Sequence, residues 1–70
     1  MFEGRKYKQV GYGERAIRFA DADSGVATTA YSYSMTDDER AAMARRITAA
    51  LNLTTNLTVE QMEAIGPLSV

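Results

Sequence analysis

Polar and apolar residues alternate along the first half of this chain and recur at helical spacing along the second. Residues 5–12 (Arg-Lys-Tyr-Lys-Gln-Val-Gly-Tyr) alternate weakly and predict a first strand, which Gly11-Tyr12-Gly13 breaks. Residues 14–21 (Glu-Arg-Ala-Ile-Arg-Phe-Ala-Asp) make a clearer strand. Asp23-Ser24-Gly25 suits a three-residue hairpin loop with Gly25 in the left-handed position. Residues 26–34 return as the partner strand, rich in β-branched and aromatic types. With Ala22 opposite Val26, the register sets Phe19 against Thr29, Ile17 against Tyr31 and Arg15 against Tyr33. One face then collects Ile17, Phe19, Tyr31 and Tyr33 and is expected to meet a helix. The other collects Ala16, Arg18 and Ala20 with Thr28, Ala30 and Ser32, and is solvated or pressed against another subunit. A one-residue slip would mix the two sets.

Thr36-Asp37-Asp38-Glu39 opens the second half with a reciprocal capping box and acidic residues where the helix dipole favours them. Met43, Ala44, Ile47, Ala50 and Leu51 form one apolar stripe, predicting a helix over about 37–52. A second helix over about 58–65 starts at Thr58, with Gln61 completing another capping box and Leu57 and Met62 placed as a hydrophobic staple. Gly66 and Pro67 stop it. The expected fold is α+β in a single domain, 1–70: a two- or three-stranded antiparallel sheet with its hairpin at about 14–34, then a long and a short helix.

Size changes how that layout is read. Seventy residues support one domain, and although 46% are hydrophobic, many of these are Ala. With two Phe, four Tyr, four Met and no Cys or His, the core is thin and neither a disulfide nor a zinc site can staple it. Self-association is a standard remedy, so a homo-oligomer is expected. No apolar run approaches the ~18 residues of a membrane span. Met1-Phe2-Glu3-Gly4-Arg5-Lys6 leads into no apolar segment, so the plain expectation is a cytoplasmic protein without a signal peptide. Asn52-Leu53-Thr54 and Asn56-Leu57-Thr58 match the glycosylation pattern only by chance in that setting.

The same composition limits chemistry. Without His or Cys, no nucleophile–His triad exists, and Ser32 and Ser34 have no base at a recognisable spacing. An enzyme is not expected, and no cofactor is implied. Asp21-Ala22-Asp23-Ser24-Gly25 resembles the start of a calcium loop, yet Ser32 stands where the closing Glu belongs, so a turn accounts for it. Gly11-Tyr12-Gly13 lacks the fuller phosphate-binding signature and is equally a bend between strands.

Charge supplies the remaining candidates. Net charge is −1, but the first third is basic and the stretch from Asp21 to Glu39 is purely acidic. Lys6, Lys8, Arg15 and Arg18 interleave with Tyr7 and Tyr12, a mixture that stacks and neutralises nucleotides or single strands, and Tyr31 and Tyr33 extend the platform. The alternative packs the tyrosines against the helix and leaves the cations as a solvated edge. On the first helix, Arg45 and Arg46 together with Arg40 form a second candidate surface for an anion or acidic partner. Equally, Arg40 and Arg45 are solvated there, and Arg46 lays its stem along the apolar stripe.

The run Ile17-Arg18-Phe19-Ala20-Asp21-Ala22-Asp23-Ser24-Gly25-Val26-Ala27 resembles the "D-x-x-G-x-x-V-A" hairpin of many short phage and prophage proteins. Ala44-Arg45-Arg46-Ile47-Thr48-Ala49-Ala50-Leu51-Asn52 is similar to their "N-A-R-R-I-V-A-A-V-N" helix, and Leu57-Thr58-Val59-Glu60-Gln61-Met62-Glu63 to their closing "G-I-x-T-E-x-L-E". The chain departs from them in having Met43 where they often carry Asn, and in lacking "A-C-x-G" between the helices. The resemblance implies a small, non-enzymatic phage accessory protein in the host cytoplasm. It would bind or sequester a host protein or nucleotide signal, as an anti-defence inhibitor. A nucleotide- or single-strand-binding module and a virion assembly protein are the alternatives.

Overall fold

A computed structural model describes residues 1–30 and 34–69. The sheet has three antiparallel strands in the order β1 (Tyr7–Val10), β2 (Ala16–Phe19), β3 (Gly25–Thr28). Two helices follow, α1 (Asp37–Leu53) and α2 (Val59–Ile65). The first strand therefore forms, and the layout is β-β-β-α-α. The strands are shorter than the alternation suggests, and the part of the hairpin assigned to residues 31–33 lies outside the described residues.

Gly11 and Gly13 carry the chain from β1 to β2 through a short 3-10 turn, Tyr12–Glu14. Gly11 has φ +87°, and a Cβ there would stand 3.1 Å from that of Ala16, so the turn demands glycine twice over.

The second hairpin closes differently from the expected register. Ile17 faces Ala27 rather than Tyr31, and Ala16 faces Thr28. The left-handed residue is Asp23 at φ +54°, while Gly25 sits within β3. Aspartate tolerates that conformation, and here its carboxylate also meets Lys8 and Arg18. The loop thus closes early, and Val26 is accommodated as a bulge between the partners of Ile17 and Arg18. Relative to the expected pairing the slip is four residues at Ala16 and Ile17, and five beyond the bulge at Arg18. Ile17 and Phe19 share a face because they lie two apart on one strand, and the even slip at Ala16 and Ile17 keeps Thr28 on the face of Ala16, as expected.

That face meets α1. Ile17, on the central strand, is fully buried, and so is Ala44 on the helix. Gln9, opposite Ile17, donates its amide N–H to the Ala41 carbonyl at 2.9 Å. Thr29, just after β3, has its hydroxyl 3.2 Å from the Arg40 carbonyl, joining the sheet to the start of the helix. Phe19 lies farther along the same face, with the rings of Tyr7 and Phe2 at 5.4 and 5.8 Å and the Arg5 guanidinium 3.9 Å above it.

Both capping boxes form as expected, on Thr36 with Glu39 and on Thr58 with Gln61. The buried stripe of α1 is rotated from the expected one. Arg40 and Ala44 are buried, Ala41, Ile47, Thr48 and Leu51 are half-buried, and Ala50 and Met43 are exposed, Met43 by 43%. Local hydrogen bonding permits this rotation. Thr48 donates to the Ala44 carbonyl at 2.8 Å, and Arg40 folds back to donate to the Met35 carbonyl at 2.7 Å while pairing with Asp37. Arg40 is therefore buried, not solvated, because its own helix start supplies the acceptors.

The result is flat, 34 × 31 × 17 Å. Its radius of gyration, 13.1 Å, exceeds the about 11 Å typical of 70 residues.

Candidate functional site

Strand parity sends Lys8 and Arg18 to the sheet face away from α1, where they stand directly opposite one another. Two like charges so placed repel. Asp23 relieves this from the loop, its Oδ1 lying 3.0 Å from Lys8 Nζ and 3.5 Å from Arg18 Nη1. The Lys8 hydrogen bond, then the charges of Lys8 and Arg18, hold the Asp23 carboxyl below the usual range. At the strand end Arg5 is similarly matched to Asp21 at 3.1 Å. The acidic loop of the hairpin thus neutralises much of the basic first third.

The other sequence candidates do not converge on this pair. Lys6 is exposed beside a shallow hollow formed with Gly4, Arg5, Ala20 and Asp21. Tyr12 projects from the 3-10 turn at 92% exposure, beyond the opposite end of β1. Arg15 is half-buried, and its carbonyl accepts the Thr29 N–H at 2.9 Å. Arg45 and Arg46 are exposed on α1, which covers the opposite face of the sheet from Lys8 and Arg18. Tyr31 and Tyr33 lie outside the described residues. One cationic pair survives as a cluster, already occupied by Asp23. Among the described residues, no three acidic side chains gather to hold a metal ion.

An apolar concavity lies where the sequence offered only a staple. Phe2, Tyr7, Leu51, Leu57, Val59 and Met62 line a groove of about 180 Å³ between the N-terminal segment and α2. Its N-terminal wall is tied down by backbone. Gly4 N–H donates to the Thr55 carbonyl at 2.6 Å, and the Thr55 hydroxyl donates to the Arg5 carbonyl. Phe2 is held at φ +72°, an uncommon conformation for a bulky residue, with its ring against Phe19. Leu57 and Met62 were legible as a staple, but Phe2 carried no sequence signal, because its place depends on contacts roughly fifty residues away.

Among the described residues, no helix is long and apolar enough to cross a membrane. No protein-family model, curated protein or solved structure matches this chain.

Proposed function

We propose that this chain is a non-enzymatic accessory protein that acts by stoichiometric binding, as a small homo-oligomer. The observation that carries the reading is surface area. The chain exposes 5523 Å². A folded monomer of 7.7 kDa exposes about 4300 Å². The roughly 1200 Å² of excess is of the size that specific interfaces remove, about 800 Å² per partner. Only Ile17 and Ala44 are buried apolar residues among those described, so the excess includes apolar side chains that a partner would cover.

The resemblance to short phage proteins gives this binding a setting: sequestration of a host factor in the host cytoplasm, as an anti-defence inhibitor. The absence of His and Cys supports a binding role over a catalytic one. The nucleotide-binding alternative has weaker support, since Asp23 already satisfies Lys8 and Arg18.

Two measurements test the proposal. Native mass spectrometry of the purified chain is expected to show a defined oligomer. Deleting the gene from a phage that carries it is expected to reduce fitness in defended hosts and leave undefended hosts unaffected. Equal fitness in both hosts would remove the anti-defence role.

A further inference from the structure

We propose that the groove between the N-terminal segment and α2 is the self-association surface, and that its occupant is the same end of a second copy of this chain. The inference rests on the reading of the protein as a homo-oligomer and names the face that builds it.

α2 has little support within its own protomer. It is seven residues long and contains no buried residue. Isolated helices shorter than about twelve residues are marginal in water, and capping contributes only about 1 kcal/mol. Val59 is 59% exposed and Ile65 53%. A helix so short, with Val59 and Ile65 mostly uncovered, gains from a surface beyond its own protomer.

The lining of the groove is mostly apolar. Two of its polar groups, the hydroxyls of Thr54 and Thr55, are already engaged: the first donates to the Ala50 carbonyl at 2.8 Å and the second to the Arg5 carbonyl. Glu3, the charged side chain at the rim, is paired with the Met1 ammonium at 2.6 Å. Apart from the Tyr7 hydroxyl, what remains for an occupant is apolar contact. A charged peptide or nucleotide would find no counter-charge there.

A second copy of the chain fits this surface. An isologous contact needs one patch that carries both a hollow and projecting apolar side chains. This end has the groove, and it has Phe2 at 55% exposure beside Val59. The area in excess of a compact monomer is sufficient for one such contact on each protomer.

Val59→Glu tests the surface without threatening the protomer. Val59 opens α2, where an acidic residue suits the helix dipole, and its side chain is mostly exposed. Met43→Glu on the outer side of α1 and Val26→Glu on β3 serve as controls at exposed apolar positions elsewhere. Light scattering across a dilution series and isotope-filtered NMR on mixed labelled and unlabelled protein supply the readouts. The expected result is an oligomeric wild type, Val59 methyl contacts between copies, and at least a tenfold weaker association for Val59→Glu at unchanged circular dichroism, with both controls unaffected. An oligomer that survives Val59→Glu but dissociates with Met43→Glu or Val26→Glu would overturn the groove assignment and leave the oligomer reading standing. A wild type that stays monomeric at every concentration would overturn both, whatever foreign ligand the groove then took.

Discussion

The carboxamide of Asn52 closes onto the backbone of Tyr7 at two points: its Oδ1 accepts the Tyr7 N–H at 2.8 Å, and its Nδ2 donates to the Tyr7 carbonyl at 3.1 Å. Tyr7 faces Phe19 in a non-hydrogen-bonded pair, since the ladder bond from Ala20 N–H to the Lys6 carbonyl belongs to the adjacent pair, so the polar backbone of Tyr7 points away from β2. A residue near the end of α1 thus acts as a one-residue strand on the β1 edge. It both docks the helix and blocks the edge from pairing with another chain.

Asn52→Ala should therefore cost about 1–2 kcal/mol, read by urea denaturation. Asn52→Asp should cost more at neutral pH, because a carboxylate can accept the N–H but faces the carbonyl as a second acceptor. That geometry raises the folded-state pKa of the new carboxyl above its unfolded value. Its deficit is then greatest above the folded pKa and shrinks as pH falls through it. A variant with the same stability as wild type at acid and neutral pH would show that the two-point contact does not form.

Ile17 is the one large side chain among the described residues that is fully buried. Ile17→Ala should destabilise by about 2–5 kcal/mol and Ile17→Val by about 0.5–1.5 kcal/mol. A 70-residue domain holds roughly 4–10 kcal/mol in all, so the alanine variant should be largely unfolded at modest temperature. Thermal melts followed by circular dichroism check both. Equal melting points for the two variants would mean that the core lies elsewhere.

The two caps should differ in reach. Thr36→Ala removes the acceptor for the Glu39 N–H and should lower global stability by about 1 kcal/mol, with Thr36→Ser retaining most of it. Thr58→Ala makes the same local change at a helix with no buried residue. Its effect should appear as faster amide exchange within α2, with a smaller change in the global midpoint. Identical global losses from both would contradict the weak docking of α2.

Asp23 makes acid stability testable. Its folded carboxyl is held below the ordinary range, first by the Lys8 hydrogen bond and then by the charges of Lys8 and Arg18. A depressed folded pKa contributes stability that is present above the unfolded pKa and lost as pH falls through the folded value. Asp23→Asn tolerates the same left-handed backbone and removes that contribution, so its melting temperature should fall less steeply on acidification than that of the wild type. Parallel pH profiles would assign the acid sensitivity to other carboxylates.

The helices were legible because their signals are local. Thr36 with Glu39 and Thr58 with Gln61 lie three residues apart, and each box forms where its spacing places it. The sheet was legible in its faces but not in its pairing: Ile17 points to the helix, yet it faces Ala27 because Asp23, not Gly25, turns the chain. Of the candidate site, Lys8 and Arg18 share a face as alternation requires, while Tyr12, Arg45 and Arg46 diverge. The apolar groove had only Leu57 and Met62 to announce it.

What the sequence determined by itself is the order and type of elements, since capping, turn chemistry and side-chain period act within a few residues. Only the tertiary structure decided that Arg40 is buried, that Asn52 completes the edge of β1, and that Phe2 walls a groove against α2. Those outcomes depend on where unpaired backbone and apolar surface meet across dozens of residues. There a hydrogen-bonding group is placed by the partner it must satisfy, not by its own preference.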